Sequence, residues 1–138
     1  MTADQYDFTS LPEVDGVDVV ILDESIPARA PPGTRGMFAY VLGATDAPHI
    51  RLGANYAQVI ARLWRELVRG DEARCHIPPF GLRFYAQGST LLQASICWEC
   101  NNIYGFVGAS ELHTSFAADT PSARALLSML KRLAVRGE

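Results

Sequence analysis

Three cysteines and one histidine form the most chemically distinctive part of this sequence. Cys75 and His76 come shortly before a Pro-Pro pair, and Cys97 and Cys100 follow as a Cys-x-x-Cys pair. Thiolate and imidazole groups are the ligands that zinc prefers, and paired thiols can also exchange disulfide bonds. The sequence therefore indicates a thiol or metal cluster formed by Cys75, His76, Cys97 and Cys100.

The chain between these cysteines predicts a β-hairpin that brings them together. Residues 80–86 and 91–98 are apolar strand candidates, and a turn-forming segment lies between them. With a three-residue loop at 87–89, the hairpin returns Cys100 to the neighbourhood of Cys75 at its open end. The predicted register gives one continuous apolar face. It includes the pairs Leu82 with Ala94 and Phe84 with Leu92.

The motifs around the cysteines resemble those of a known group of proteins. They are Cys75 before a proline, the Gly81-Leu-Arg83 strand, and Ile96-Cys-Trp-Glu-Cys100. Together they resemble a group of small bacterial proteins of uncharacterised function. The resemblance covers residues 37–133 as a pattern, and Pro79 departs from it. It implies a recurring fold and no activity.

A zinc site is one interpretation of the cluster, with Cys75, Cys97 and Cys100 as ligands and zinc as the cofactor. Asn101 follows the Cys-x-x-Cys pair and tolerates the left-handed backbone that a metal-binding knuckle needs. The fourth ligand is not assigned. In an extended segment the side chains of Cys75 and His76 point to opposite faces, so both cannot easily bind one ion.

Two further interpretations of the cluster stay open. The first is a thiol-redox protein or sensor that uses Cys97 and Cys100, although no helix begins after them to favour a thiolate. The second is ordinary packing, since free cysteines are often buried. In that case Cys100 lies in the core and Cys97 is partly exposed.

Composition excludes several classes of protein. The 138 residues are 49% hydrophobic and 20% charged, with a net charge of −3, which suits one folded domain and not a disordered chain. The charge gives no reason to expect nucleic-acid binding. The N-terminus lacks the features of a secretory signal, and no apolar run can span a bilayer. We therefore expect a cytoplasmic protein whose cysteines are thiols or metal ligands and not a structural disulfide framework.

Hydrophobic patterns predict two helices and five strands. Residues 55–68 form an amphipathic helix with Asn55 as its N-cap and Gly70 after its end. A second helix begins at Pro121 with Thr120 as its N-cap. The apolar stripe of the first helix comprises Tyr56, Val59, Ile60, Leu63 and Leu67. The stripe of the second comprises Ala123, Leu126, Leu127, Leu130 and Leu133. The strands are Val17–Asp23, Met37–Leu42, the two strands of the hairpin, of which the second resumes over residues 103–107, and a last strand over residues 112–116.

This element order predicts a single α+β domain over residues 16–138, preceded by a flexible arm at 1–15. A mostly antiparallel sheet in β-β-α-β-β-β-α order carries two packed helices. No catalytic residue is assigned, so we expect a small, soluble, non-enzymatic binding domain for a partner protein or small ligand. It would bind through one sheet face or the Ile26–Gly36 loop. The candidate recognition surface comprises Trp98, Glu99, Asn101 and Tyr104.

Overall fold

The fold of the chain is a single α+β domain, seen in a computed structural model that describes residues 6–22, 49–75 and 77–137. Within these residues, six strands form one antiparallel sheet in the order β2-β1-β3-β4-β5-β6, and two α-helices pack on it. The predicted fold class is confirmed, and the predicted order of strands and helices agrees with the structure except that four strands, and not three, lie between the two helices. The strands are β1 Gly16–Ile21, β2 His49–Leu52, β3 Phe80–Ala86, β4 Ser89–Cys97, β5 Asn102–Val107 and β6 Ser110–Ser115. The helices are α1 Ala54–Arg65 and α2 Pro121–Gly137, and a short 3-10 helix covers Phe8–Ser10.

The β3–β4 hairpin has the predicted register but a different turn. Leu82 pairs with Ala94 and Phe84 with Leu92, as expected. The loop contains two residues and not three, because Gln87 and Gly88 both adopt positive φ angles, 53° and 79°. A two-residue turn in which both residues have positive φ angles has a backbone twist that matches the twist of the flanking strands. An irregularity after Phe84 absorbs the difference in length and leaves the apolar face intact.

The partner of β1 at the edge of the sheet is a strand that the sequence did not predict. β2 pairs antiparallel with β1, with Val17 opposite Leu52. It has only four residues and alternates exposed and half-buried positions, so it lacks the β-branched run that marks a strand. The predicted strand Met37–Leu42 and the Ile26–Gly36 loop lie outside the described residues.

Helix α1 presents a different face to the core from the one predicted. Ile60, Leu63 and Leu67 are buried as expected, but Tyr56 and Val59 are 42% and 36% exposed. The most buried large side chain of α1 is Trp64, at 0% exposure. The helix also begins after Gly53, without an Asn55 cap, and ends at Arg65, well before Gly70.

The N-terminal segment explains why Trp64 is buried. The predicted arm is described from residue 6, and there it packs on α1 through four buried side chains. The Trp64 indole N–H donates to the Tyr6 hydroxyl at 3.1 Å, and the Phe8 ring meets the Trp64 ring edge-on at 5.4 Å. Residues 6–14 are thus part of the core and not a loose arm. The four side chains are Tyr6, Phe8, Leu11 and Val14.

Helix α2 agrees closely with its prediction. It begins at Pro121, and the Thr120 hydroxyl accepts a hydrogen bond from the Ala123 N–H at 3.3 Å, as an N-cap does. Four of the five predicted stripe residues are buried, namely Ala123, Leu126, Leu130 and Leu133. Leu127 is only half-buried because it faces a surface cleft.

The sheet face opposite the helices carries a nearly buried carboxylate, that of Asp18, at 2% exposure. The Arg51 guanidinium donates to both of its oxygens, at 2.7 and 3.0 Å, and the Tyr85 hydroxyl donates to it at 2.6 Å. Burial by itself raises the pKa of Asp18. The hydrogen bonds from Arg51 and Tyr85 and the nearby positive charges outweigh that effect, so the pKa is below its ordinary value.

Replacing this carboxylate should change the pH dependence of stability. Because the folded-state pKa of Asp18 is lowered, its contribution is present above the unfolded-state pKa of about 3.9 and is lost as the pH falls below it. We expect Asp18→Asn to lower the free energy of unfolding at pH 7 by about 2 kcal/mol. Between pH 5 and 2 (about the range in which such a group titrates) the variant should lose less stability than the wild type. Urea unfolding across this range measures both effects. Glu13→Gln, at an exposed site, should follow the wild type, and parallel curves for Asp18→Asn and wild type would contradict the assignment.

Candidate redox site and cleft

The segment between α1 and β3, residues 66–79, is here called the connector, and it runs past the ends of β6 and β5. The Ala117 N–H donates to the Val68 carbonyl and the Ala73 N–H to the Cys100 carbonyl, both at 2.8 Å. The His113 imidazole lies 2.9 Å from the Glu72 carboxylate. These contacts hold the connector against β6 and the segment that follows it, and against the β4–β5 turn, residues 98–101.

Two consecutive asparagines position the turn and the connector together. Asn101 has a φ angle of 55°, so the predicted left-handed residue after the Cys-x-x-Cys pair is confirmed. Its side-chain amide donates to the Asp71 carbonyl at 2.9 Å. The fully buried Asn102 amide donates to the carbonyls of Cys75 and Ala73, at 2.7 and 3.3 Å. Sequence analysis used the asparagines only for backbone geometry, and their pairing with the connector carbonyls was missed.

A disulfide bond joins the connector to the turn. It links Cys75 with Cys100, whose Cα atoms are 5.6 Å apart, a separation typical of disulfides. The predicted return of Cys100 to Cys75 is confirmed. The expectation that all three cysteines are thiols or metal ligands is wrong. Cys100 is bonded to Cys75 and not to Cys97, as a Cys-x-x-Cys redox pair would require. Cys75 is exposed, whereas Cys100 is fully buried.

The third cysteine, Cys97, is a free thiol at 0% exposure. Its sulfur accepts hydrogen bonds from the Cys100 N–H at 3.2 Å and from the Ile77 N–H at 3.4 Å. Sequence analysis expected Cys97 to be partly exposed, which is wrong because the connector covers this face of the sheet. The burial of Cys100 is as expected.

The described residues contain no group of three His, Cys, Asp or Glu side chains arranged to hold a metal ion. The sulfurs of Cys75 and Cys100 are bonded to each other, so neither is a thiolate ligand in this state. His76 lies outside the described residues. His113 is not paired with a cysteine in the sheet. It lies on β6 opposite Tyr104 of β5, and its imidazole contacts Glu72.

The candidate recognition residues divide between two places. Trp98 is 8% exposed and its indole N–H donates to the Ala123 carbonyl at 2.9 Å, which ties the turn to α2. Glu99 and Asn101 belong to the same turn. Tyr104 lies apart from the turn, on β5. Its ring stacks on that of His113 on β6, with the ring centroids 4.4 Å apart.

Two clefts flank the β4–β5 turn and share Trp98, Glu99 and Leu127. The first, here called the proline cleft, has a volume of about 470 Å³. One wall is the connector at Ile77, Pro78 and Pro79, and another is formed by Trp98 and Glu99 of the turn. The rest of the lining comes from the end of β1 and from α2, namely Ile21, Leu22, Leu127 and Lys131. The second cleft, of about 620 Å³, reaches Asn101 and the start of α2. Sequence analysis missed both clefts.

Fold and site together define a small α+β domain with a disulfide-stapled cleft at one end of its sheet. A comparison with protein-family models, curated proteins and solved structures found no match for this chain. The resemblance to small bacterial proteins therefore stays a prediction. None of the helices described here has the length and apolar character needed to cross a bilayer.

Proposed function

We propose that this protein is a small binding domain whose ligand cleft is controlled by a thiol–disulfide switch. One observation carries the proposal: the Cys75–Cys100 disulfide joins two of the chain segments that line the proline cleft, the connector and the β4–β5 turn. Cys75 lies two residues before Ile77 on one wall, and Cys100 lies two residues after Trp98 on the other. The bond therefore limits how far the walls can separate.

Reduction would leave the connector wall held by weaker contacts. The remaining ties nearest the cleft include the Asn102 bonds to the connector, the Ile77 N–H bond to Cys97, and the Leu22 N–H bond to the Pro79 carbonyl at 3.0 Å. Each such hydrogen bond contributes about 1 kcal/mol, so local opening becomes easier without unfolding of the domain. A ligand that needs both walls would then bind differently in the two redox states.

The exposure of the two cysteines suits this chemistry. An outside thiolate can reach the exposed Cys75 sulfur, form a mixed disulfide with it, and release the buried Cys100 as a thiolate. A second thiol then attacks the mixed disulfide and leaves both cysteines reduced. In the cytoplasm, where the sequence predicts the protein works, the thiol pool favours the reduced state and oxidation becomes the signal.

The lining of the proline cleft defines the ligand by its chemistry. The lining contains apolar surface from Ile77, the two prolines, Trp98 and Leu127. It also contains two side chains of opposite charge, Glu99 and Lys131. A ligand with an apolar body and one polar end fits such a cleft, whether it is a small molecule or a side chain of a partner protein. Of the four residues predicted to form a recognition surface, Trp98 and Glu99 line this cleft.

The proposal predicts that reduction weakens binding of an amphipathic probe. We expect the dye 1-anilinonaphthalene-8-sulfonate to bind the oxidised wild type roughly tenfold more tightly than the reduced protein. Loss of about 50 Å² of apolar contact with a loosened wall accounts for about that factor. Fluorescence titration of the disulfide-bonded protein in buffer without glutathione, and of the same protein in a buffer of reduced glutathione, measures the two dissociation constants.

Matched variants test whether the dye binds in the proline cleft and whether the disulfide causes the change in affinity. Leu127→Lys should abolish dye binding in both states, whereas Val135→Lys, at a 76% exposed site on the same helix, should not. Cys75→Ser cannot form the wall-to-wall bond, so its affinity should be the same in both buffers. Equal affinity of the oxidised and reduced wild type, or a disulfide that millimolar glutathione leaves intact, would overturn the proposal.

Zinc is a second candidate for the reduced state, supported by the knuckle geometry of the turn. The Cys100 N–H bond to the Cys97 sulfur and the left-handed Asn101 occur in metal-binding Cys-x-x-Cys turns. Cys75, Cys97 and Cys100 would supply three thiolates once the disulfide is reduced. Metal analysis of the reduced protein after dialysis against zinc distinguishes the two functions, because a switch retains no stoichiometric zinc.

A further inference from the structure

The buried Cys97 thiol lies between the two segments that the disulfide joins. Its sulfur accepts the N–H of Cys100, one member of the bond, at 3.2 Å. It also accepts the N–H of Ile77, two residues after the other member, at 3.4 Å. The sulfur of a reduced cysteine is thus enclosed between the two segments that carry the disulfide, and thiol–disulfide exchange requires a thiolate close to one of the disulfide sulfurs.

The backbone also permits a bond between Cys97 and Cys100. The two residues occupy the first and fourth positions of a turn, closed by the Cys100 N–H bond to the Cys97 sulfur. Cα atoms at these positions of a tight turn lie within about 7 Å of each other, and disulfides span that separation. Cys100 can therefore pair with either of the other two cysteines.

We propose that Cys97 exchanges with the Cys75–Cys100 disulfide, and that this makes Cys75 the site at which the protein is modified by low-molecular-weight disulfides. The Cys97 thiolate attacks the Cys100 sulfur. A Cys97–Cys100 bond forms as the Cys75–Cys100 bond breaks, and the electron pair leaves on the Cys75 sulfur. The number of disulfides is unchanged, so the step needs no oxidant.

The released Cys75 thiolate then attacks an outside disulfide such as oxidised glutathione. A mixed disulfide forms on Cys75, and one glutathione thiolate leaves. Cys75 is the exposed member of the cluster, whereas Cys97 and Cys100 are both at 0% exposure, so modification falls on this residue. This inference rests on the proposed switch, because it uses the same bond, but it concerns an exchange that proceeds without reductant.

Trypsin converts the exchange into a direct readout. Cleavage after Arg74, Arg83 and Arg124 places Cys75 on the peptide 75–83 and the other two cysteines together on the peptide 84–124. The resting disulfide links the two peptides, and the exchanged one leaves them separate. We would incubate the oxidised wild type with oxidised glutathione at mildly alkaline pH, quench with acid, digest without reduction, and identify the peptides by mass spectrometry.

The expected result is peptide 75–83 carrying one glutathione and peptide 84–124 carrying an internal disulfide. Linked peptides without an adduct, or glutathione on peptide 84–124, would overturn the proposal. Cys97→Ser, with circular dichroism to confirm its fold, should keep the peptides linked. An adduct on Cys75 in this variant at the wild-type rate would also overturn the proposal.

Cys75→Ser tests the Cys97–Cys100 bond separately. After treatment with oxidised glutathione, its peptide 84–124 should contain the internal disulfide and no adduct. Two remaining thiols, or glutathione on either, would show that the turn does not close and would overturn the exchange. The switch itself is tested by dye binding on reduction, so failure of one proposal is distinguishable from failure of the other.

Discussion

Reduction of the Cys75–Cys100 disulfide should lower the free energy of unfolding by about 3 to 4 kcal/mol. The bonded cysteines are 25 residues apart, and a cross-link that closes a loop of this length restricts the unfolded chain by about that much free energy. The folded state loses little packing on reduction, because Asn102 and the backbone bonds still hold the connector. Urea unfolding of the wild type with and without reductant measures the difference.

A variant separates the cross-link from other effects of reductant. Cys75→Ser in the same reductant should unfold at the urea concentration of the reduced wild type, because neither protein has the bond. Serine at this exposed position creates no cavity and leaves no buried polar group. If the oxidised and reduced wild type unfold at the same urea concentration, the bond does not constrain the unfolded chain as proposed.

Replacing Trp64 by alanine should lower the free energy of unfolding by about 3 to 5 kcal/mol. The indole is fully buried and meets the rings of Tyr6, Phe8 and Phe84 edge-on. Its removal opens a cavity and takes away the indole N–H that donates to the buried Tyr6 hydroxyl. Because Trp64 joins the N-terminal segment to α1, residues 6–14 should also become sensitive to proteolysis.

Tyr56 on the same helix supplies the matched control. The apolar pattern of the sequence places Tyr56 in the core, whereas the structure leaves it 42% exposed. Tyr56→Ala should therefore change stability by no more than about 0.5 kcal/mol. Urea unfolding of both variants decides between the two helix faces, and a larger loss for Tyr56→Ala than for Trp64→Ala would contradict the structure.

Local rules were sufficient where neighbouring residues in sequence carry the interaction. Thr120 and Pro121 mark the start of α2 through a cap that spans three residues. The hairpin register follows from alternation of apolar residues, which is why Leu82 and Ala94 were paired correctly even though the turn length was wrong. Asn101 was assigned its left-handed backbone from the tolerance of asparagine for it.

The errors in the fold come from residues whose environment is set by distant segments. Trp64 is in the core because residues 6–14 cover it, and nothing in the helix sequence reports that cover. β2 is a strand because β1 offers it a hydrogen-bonding edge, not because its four residues favour one. In both cases tertiary contacts outweigh local propensity.

The sequence by itself determined the α+β class, the hairpin, α2, and the gathering of cysteines at the open end of the hairpin. Only the tertiary structure decided that Cys100 is bonded to Cys75, that Cys97 is buried beside them, and that Trp98 and the connector prolines line one cleft. The physical reason is that pairing and cleft formation depend on where the connector crosses the end of the sheet. That path is fixed by hydrogen bonds from Asn101 and Asn102 to backbone carbonyls, which every residue type presents alike.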